Sequence, residues 1–333
     1  MTALDTSSRA APRIVLKERR KSAALRKLRE SFVIGSLVLC ALFSVFVTFS
    51  IVVILFTETV RFFGMPEVTL GEFFLGTEWN PLMGAEKHFG IWPLISGTMM
   101  VAVIAALVAI PLGLVTAVYL SEYAPARVRS TLKPVLEILA GIPTVVYGFF
   151  ALTVITPALR GVSSFVTSPF VEGEGGRSVF EYFNSTSAGL AVGIMCLPIV
   201  CSLSEDALRA VPRSLREGAY ALGSTRFDVS VKVVVPAALS GVIASFLLAL
   251  ARAVGETMIV ALAAGGLARI AYNPADGAQT MTAYMVQIFL GDAGSESVEY
   301  YSSYAVGATL FVMTLALTLI GNWVLRRFRE EYE

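Results

Sequence analysis

The sequence EDALRAVPRSLREGAYALGSTRFDVSVKVVVP, residues 205–236, runs directly into the apolar stretch AALSGVIASFLLALARAVGETMIVALAA, residues 237–264. The first segment is polar and rich in arginine. The second is long enough to cross a bilayer, and its only charges are Arg252 and Glu256. A charge near the middle of a bilayer costs about 3 kcal/mol or more, so it persists where it lines a polar path or has a partner. The two segments together predict a loop at one membrane surface joined to a helix that lines a path for a charged solute, with an anion favoured by the arginine.

The whole chain has the composition of an integral membrane protein. It has 333 residues, of which 56% are apolar, and a mean hydropathy of +0.72. Crossing ~30 Å of hydrocarbon takes ~20 apolar residues. Six runs of about this length occur, at residues 31–56, 94–120, 134–158, 187–204, 237–264 and 303–325. We therefore predict an all-α polytopic membrane protein with six transmembrane helices, the first of which is retained rather than cleaved as a signal peptide.

The distribution of Lys and Arg predicts the orientation. The segments before the first run and after the second, fourth and sixth contain 9, 3, 5 and 3 basic residues. The alternate segments contain only Arg61, Lys87, Arg160, Arg177 and Arg269. By the positive-inside rule, both termini are expected to be cytoplasmic.

This topology divides the chain into a basic N-terminal segment, a membrane domain and a short tail. Their predicted bounds are 1–30, 31–325 and 326–333, with outer loops at about 57–93, 159–186 and 265–302 and a cytoplasmic loop at about 205–236. Because the basic segment is tethered to the membrane, we expect it to contact anionic lipid headgroups or a cytoplasmic partner, and not nucleic acid.

The third run contains the sequence GIPTVVYG, residues 141–148. Pro143 removes a backbone donor and clashes one turn back, so it is expected to kink or break the helix. Breaks of this kind are tolerated in membranes where the freed groups face protein or a water-lined cavity. Pro143, Thr144 and Tyr147 are therefore candidates for the lining of the path. The alternative is that the segment only shapes helix packing, which Gly141 and Gly148 would also serve.

The sequence shows no motif for ATP hydrolysis, for a disulfide framework or for a metal site. A phosphate-binding P-loop needs a Gly-Lys-Ser/Thr step, and no lysine in the sequence follows a glycine. The three cysteines lie in or beside apolar runs and predict neither a disulfide framework nor a metal site. We expect the chain to be no enzyme and to hold no cofactor, so that uphill transport would draw on a partner ATPase or on an ion gradient.

Arg252 and Glu256 are predicted to share one helix face, because residues at i and i+4 are neighbours. Arg252 lies about 20 Å along the helix from Leu239, at ~1.5 Å per residue. Its planar, five-donor guanidinium suits an oxyanion better than an ammonium would. Glu256 would partly neutralise Arg252 in an empty path, or accept a hydrogen bond from a proton-bearing phosphate oxygen. The alternative is a salt bridge that only fixes helix packing or a partner.

The loop between the fourth and fifth runs carries a recognisable pattern. Glu217-Gly218-Ala219 is followed by Gly223, six residues after the glutamate, and the loop ends in Val233-Val-Val-Pro236. This resembles the EAA loop of ABC importer permeases, with Gly218 in place of the first alanine. The pattern predicts a short helix, a glycine turn and a second short helix, which would form a rigid knob for a groove on a partner.

Further motifs narrow the resemblance. Three stretches are similar to motifs of the phosphate-specific ABC permease family. They are Arg252-Ala-Val-Gly-Glu256-Thr257-Met, the Pro143 segment, and GTEWNP at residues 76–81. Within that family, Glu-Thr-Met after the arginine resembles the PstC-type subunit. The similarity extends from the first apolar run to the last.

The resemblance implies a type I ABC importer permease in a bacterial or archaeal cytoplasmic (inner) membrane. Its implied partners are a second, PstA-like permease, a pair of PstB-like ATPases that bind ATP and Mg²⁺, a PstS-like phosphate-binding protein outside, and membrane lipids. Glu217, Gly218, Ala219, Gly223 and Pro236 would couple the chain to the ATPase, and Thr257 would join the path. The sequence leaves open an ABC permease for another oxyanion, such as molybdate or sulfate, and a gradient-driven anion transporter or channel.

Overall fold

The computed structural model describes residues 13–82, 87–167, 178–291, 294 and 296–327. The chain divides into two compact units, residues 1–55 and 56–333. Helices account for nearly all of the regular structure, and one short β-hairpin accompanies them. The helices are α1 (Arg13–Phe63), α2 (Leu70–Leu75), α3 (Trp92–Val118), α4 (Ala126–Ala140), α5 (Thr144–Phe150), α6 (Thr156–Thr167), α7 (Ser185–Ala210), α8 (Arg213–Ala221), α9 (Arg226–Val229), α10 (Val235–Ala237), α11 (Leu239–Val254), α12 (Met258–Ala263), α13 (Met281–Leu290) and α14 (Val298–Arg327), and the strands are β1 (Trp79–Asn80) and β2 (His88–Phe89).

Three π-helical turns occur in the described residues, and the second and third connect two helices without a loop. They lie at Tyr119–Tyr123 after α3, at Ala151–Ile155 between α5 and α6, and at Ser230–Val234 between α9 and α10. Residues 144–166 therefore form one apolar span of 23 residues. The strands β1 and β2 pair antiparallel, with Trp79 opposite Phe89.

In the first unit, the structure describes the part of α1 that precedes residue 56. Its large apolar side chains from Phe32 to Ile54 are mostly exposed. They belong to the candidate span Arg29–Phe63, which has a mean hydropathy of 2.9. Apolar side chains that cover a helix on all sides are typical of a segment surrounded by lipid.

Five helices of the described residues are long and apolar enough to cross a membrane, and a sixth span is counted if a bent helix pair is taken as one. Four of the predicted runs match spans of the structure: the first, second, fourth and sixth correspond to Arg29–Phe63, Trp92–Tyr123, Ser185–Ala210 and Val298–Arg326. The two remaining runs have other bounds than predicted, because both are broken.

The prediction for the third run, residues 134–158, is wrong in its bounds. Its first seven residues belong to the separate helix α4, which has no buried residue. The span starts at Thr144 and continues to Val166, since Pro143 stands at the helix N-cap with a non-helical ψ of 136°. A proline fixes φ and donates no hydrogen bond, so it suits a helix start better than a helix interior.

The prediction for the fifth run, residues 237–264, is wrong as one continuous helix. The helix α11 ends at Val254 with Gly255 as its C-cap, and α12 begins only at Met258. At its other end, residues 226–237 and 239–254 meet at an angle of 71°. The fifth run therefore contains a helix of 16 residues between two breaks, and α12 follows the second break.

The core of the second unit is built on close contact between α3 and α7. A Cβ atom at Gly189 would lie 2.6 Å from Ile104 Cβ, and one at Gly193 would lie 2.9 Å from Val108 Cβ. Only glycine allows the two backbones to approach this closely, as is common between helices in membranes.

The helix α3 defines two ends of this unit. At its start, the Trp92 indole donates a hydrogen bond to the Phe74 carbonyl, beside α2 and the hairpin. At the other end, 27 residues and about 40 Å away at ~1.5 Å per residue, Glu122 pairs with Arg216 of α8. We call these the hairpin end and the loop end.

Candidate functional site

The loop end carries the predicted helix–glycine–helix arrangement, which is confirmed. The first helix, α8, ends at Ala221, and Gly223 takes a left-handed conformation with φ +82°. A β-carbon is strained at such a φ, so glycine is the residue that closes this turn. The next helix, α9, begins at Arg226 after the Thr225 side chain accepts a hydrogen bond from Asp228 N–H.

This loop presents a largely exposed surface. Glu217 is exposed, and Leu222 and Phe227 are 89% and 64% exposed. Ala219 packs against the apolar cluster beneath the loop, whereas a Cβ atom at Gly218 would meet nothing within 4 Å. The substitution of glycine for the usual alanine therefore leaves the shape of the loop intact. Pro236 lies in α10, two residues before Ala238, the junction of the 71° bend.

Arg216, which was not among the predicted site residues, fixes α8 to two membrane-spanning helices. Its Nη2 atom lies 3.0 Å from Glu122 Oε1, in the π-helical turn after α3. Its guanidinium also donates to the carbonyls of Leu208 and Val211 at the end of α7, over 2.7 and 2.6 Å. These carbonyls have no partner within their own helix, so Arg216 caps α7. Arg216 thus holds α8 against the ends of α3 and α7.

A second ionic cluster, also absent from the prediction, surrounds Glu205 on α7. The residue is 1% exposed, and its carboxylate lies 2.7 Å from Arg129 Nε, 3.1 Å from Lys133 Nζ and 3.6 Å from Arg209 Nη1. Lys133 also pairs with the exposed Asp206 at 2.8 Å. The bond to Asp206 raises the pKa of Lys133, so this lysine stays charged at neutral pH. We call Glu205, Arg129, Lys133, Arg209 and Asp206 the Glu205 cluster.

In the structure, Arg252 and Glu256 do not lie on one helix, whereas the sequence predicts that they do. Arg252 is in the last turn of α11, but Glu256 follows the C-cap and is not helical. The predicted i,i+4 pairing on one helix is therefore wrong. The two side chains differ in burial, since Arg252 is exposed and Glu256 is only 6% exposed. Among the described residues, no carboxylate lies within 4.0 Å of the Arg252 guanidinium, which donates a hydrogen bond to Met195 Sδ over 3.6 Å.

Two threonine hydroxyls donate hydrogen bonds to backbone carbonyls of the break after α11. The Thr282 hydroxyl, at the start of α13, donates to the Glu256 carbonyl over 2.6 Å. The Thr257 hydroxyl donates to the Gly255 carbonyl over 3.3 Å, and Thr257 N-caps α12 without a side-chain bond. The broken segment is therefore a fixed turn, in which the Arg252 and Glu256 side chains are presented at a helix end.

The Pro143 segment has a structural role that the sequence did not reveal. Tyr147 is 6% exposed, and its hydroxyl donates to the Leu139 carbonyl at the end of α4 over 2.8 Å. Pro143 is exposed and Thr144 is half-buried. Tyr147 thus bridges the break between α4 and α5, through a carbonyl that also accepts a hydrogen bond from Ile142 N–H.

The Pro143 segment and the Arg252 segment are brought together. A Cβ atom at Gly148 would lie 2.8 Å from Leu262 Cδ1 and 3.2 Å from Ile259 Cα, so α5 packs tightly on α12. Tyr147 shares one buried cluster with Val254 and Ile259. Both breaks therefore lie in the same part of the unit, whereas the predicted coupling residues lie at the loop end.

The hairpin end contains two adjoining cavities. The larger has a volume of about 440 Å³ and is lined by the Thr77–Leu82 strand region and by residues 266–270. The smaller measures about 300 Å³. Both share Gly266, Gln279 and Gln287, and the Gln279 amide donates to Gln287 Oε1 over 2.6 Å.

Comparison with known proteins agrees with these features. Residues 109–330 match the family of binding-protein-dependent transport system inner membrane components. The chain is 34% identical over 289 residues to the Probable ABC transporter permease protein YqgH of Bacillus subtilis, covering 86% of this chain and 88% of that protein. It is 35% identical over 266 residues to the Phosphate transport system permease protein PstC of Xylella fastidiosa, covering 77% and 78% of the two chains. A protein of Methanocaldococcus jannaschii, with the name Probable phosphate transport system permease protein PstC, is 32% identical over 257 residues, covering 74% and 78%.

Solved structures share the fold at low sequence identity. A crystal structure of a bacterial ABC transporter involved in the import of the acidic polysaccharide alginate covers 92% of this chain and 100% of that one, with a TM-score of 0.62 and 14% identity. A second structure, of an alginate ABC transporter in complex with an alginate pentasaccharide-bound periplasmic protein, has a TM-score of 0.51 and 16% identity, with 71% and 78% of the chains covered. The predicted ABC importer permease fold is thereby confirmed. The chain belongs to the family of binding-protein-dependent transport system inner membrane components, as a multi-pass protein of the inner membrane.

Proposed function

We propose that this chain is the PstC-type permease subunit of an ATP-driven importer of inorganic phosphate. The observation that carries the proposal is the Arg252 guanidinium, which is exposed at the end of a broken membrane helix with no carboxylate within 4.0 Å among the described residues. The PstC relatives, similar over about three quarters of the chain, support phosphate as the anion.

Arg252 would bind the anion directly. A guanidinium has five N–H donors in a planar fork that fits two oxygens of a phosphate at once, and it stays charged at any physiological pH. The Met195 sulfur at 3.6 Å is a weak acceptor that leaves this charge uncompensated. An arriving anion would therefore supply the counter-charge that Arg252 lacks.

Glu256 would select among anions. Because it is buried and makes no ion pair with Arg252, direct neutralisation of the empty site is not its role in this conformation. A carboxylate accepts hydrogen bonds only. Phosphate carries a proton on an oxygen near neutral pH, whereas sulfate does not, so Glu256 would favour phosphate. Thr257 and Thr144 would contribute hydroxyl groups nearby, and Pro143 would set the direction of α5.

Energy would enter at the loop end, which we place on the cytoplasmic side with both termini. The exposed surface of Glu217, Leu222 and Phe227 is suited to a groove on a PstB-like ATPase, which would bind ATP and Mg²⁺ outside this chain. Gly223 and Pro236 would hold the knob in shape. Arg216 would transmit its movement, because it bonds to the ends of both α3 and α7.

Two further partners complete the proposed assembly. A PstA-like permease would cover the exposed Arg252 face, so that the path lies between the two subunits. A PstS-like phosphate-binding protein would deliver its ligand at the hairpin end, where the Gln279 and Gln287 amides line both cavities. The Thr77–Leu82 region and Arg269 also line the larger cavity. Membrane lipids would surround the apolar face of α1.

The proposal is tested by ATP-dependent uptake of labelled phosphate into proteoliposomes that contain the chain with its permease partner, ATPase and binding protein. We expect arsenate to inhibit uptake, and excess sulfate and molybdate to leave it unchanged. Inhibition by sulfate or molybdate instead would assign another oxyanion to the same architecture. Uptake that follows an imposed ion gradient and needs no ATP would replace the ABC mechanism by a gradient-driven one.

A further inference from the structure

We infer that Glu205 is a positioning residue for transport, which locks the basic helix α4 to α7 and so keeps the Pro143 break aligned with the loop end. The inference rests on the proposed transport function and adds a residue to its machinery. It depends on how α4 is attached, on the surroundings of Glu205, and on the place of both between the coupling loop and the path.

The helix α4 has little apolar attachment of its own. None of its 15 residues is buried, and Leu136 is its one partly buried member of the apolar cluster at the loop end. Side-chain polar links from α4 to other described helices are confined to two places. Near its middle, Lys133 donates hydrogen bonds to Glu205 and Asp206, and Arg129 forms an ion pair with Glu205. At its end, the Leu139 carbonyl accepts a hydrogen bond from the Tyr147 hydroxyl. The Glu205 cluster is therefore the main anchor of α4 on α7.

The carboxylate of Glu205 is unusual in its burial and its surroundings. It is 1% exposed and has three cations within 4 Å, two from α4 and one from α7 itself. A buried charge is stable only while its partners are in place. Movement of α4 away from α7 would leave the Glu205 carboxylate without its partners on α4, so the cluster favours one arrangement of the two helices over others.

The cluster lies between the two functional regions. Glu205 is three residues before Leu208, whose carbonyl accepts from Arg216, so the end of α7 carries both the coupling contact and the α4 anchor. Glu122, which also pairs with Arg216, lies four residues before the start of α4 at Ala126. The far end of α4 leads through Pro143 into α5, which packs on α12 beside the Arg252 turn. A fixed α4 therefore links the coupling loop to the path.

The test compares the complete transporter in lipid with Glu205→Gln and with the control Glu137→Gln, which changes an exposed glutamate on α4 outside the cluster. Three quantities are measured: ATP hydrolysis without binding protein, phosphate imported per ATP, and the maleimide labelling rate of Cys201. This native thiol is buried one turn before Glu205, so its labelling reports separation of the helices without reference to any substrate.

For Glu205→Gln we expect hydrolysis to become independent of the binding protein, transport per ATP to fall by about tenfold and Cys201 labelling to rise by about tenfold, within the usual range of coupling between sites. The control should match the unmodified protein in all three. The inference is wrong if Glu205→Gln keeps binding-protein-dependent hydrolysis, normal transport per ATP and a protected Cys201.

A second variant keeps the test decisive if Glu205→Gln does not assemble. Lys133→Gln leaves Arg129 and Arg209 beside Glu205 and changes a side chain that is 28% exposed, so it should fold. We expect the same three changes with smaller amplitude, and their absence overturns the inference. If the complex hydrolyses ATP in response to a binding protein but imports no phosphate, the proposed substrate fails, while hydrolysis and Cys201 labelling still decide the role of Glu205.

Discussion

Arg216 and Glu122 are 94 residues apart in the sequence and form an ion pair with Nη2 3.0 Å from Oε1. Because Arg216 also bonds to the carbonyls at the end of α7, one side chain joins α8 to two spans. The pair is largely buried, with side-chain exposures of 16% and 8%.

We expect Arg216→Gln to destabilise the permease by about 3 kcal/mol, because it leaves Glu122 buried without its cation. Thermal unfolding of the purified complex measures this loss. Arg213→Gln, on the exposed side of the same helix, is the matched control and should unfold like the unmodified protein. Equal unfolding temperatures for both variants would show that the ion pair does not support the loop.

Glu217→Lys should abolish binding of the ATPase while the permease remains folded. The side chain is exposed on α8, so reversal of its charge disturbs a partner rather than the core. Co-purification with the ATPase measures the effect. Glu78→Lys, at the hairpin end and 78% exposed, is the control that should keep the ATPase. Normal co-purification and transport by Glu217→Lys would rule out the coupling role of this residue.

The helix–glycine–helix arrangement of the loop was predictable because its pattern is local. Glu217, Gly223 and Pro236 occur within one short stretch, and the left-handed φ of Gly223 is a property of the turn itself. Four of the six apolar runs were also found by length and hydropathy alone. Arg216 and the Glu205 cluster were not found, since their partners lie 94 and 72 residues away and only tertiary structure brings them together.

The two broken helices show where hydropathy is insufficient. Apolar content continues across Pro143 and across Gly255, but the backbone does not. The sequence predicts a break at Pro143 but not at Gly255, because a single glycine within an apolar run is usually tolerated. As a result, Arg252 and Glu256 were placed on one helix face, which the structure corrects.

Tyr147→Phe separates a role in the path from a role in packing. Removal of the hydroxyl that donates to the Leu139 carbonyl should cost about 1 kcal/mol of stability, as for one buried hydrogen bond. We expect phosphate uptake to persist, because the hydroxyl is already engaged. Thermal unfolding and uptake are compared with Tyr119→Phe, whose side chain is exposed. Loss of uptake with unchanged stability would instead place the Tyr147 hydroxyl in the path.

Glu256→Gln should weaken discrimination against sulfate. An amide both donates and accepts hydrogen bonds, so it no longer favours an anion that carries a proton, as phosphate does, over one that carries none, such as sulfate. We expect the ratio of inhibition constants of sulfate and unlabelled phosphate in the uptake assay to fall by about tenfold, the effect of one hydrogen bond to a charged group. An unchanged ratio would show that Glu256 does not select the anion.

Arg252 provides the most direct test of the central claim, that this permease imports phosphate through a guanidinium at a helix break. The measurement is ATP-dependent phosphate uptake by the assembled transporter with Arg252→Gln, beside Arg160→Gln as an exposed arginine elsewhere in the second unit. We predict that Arg252→Gln loses uptake while assembly and ATP binding remain, and that Arg160→Gln transports normally. Phosphate uptake at the unmodified rate by Arg252→Gln, or loss of assembly without any specific loss of transport, would contradict the account.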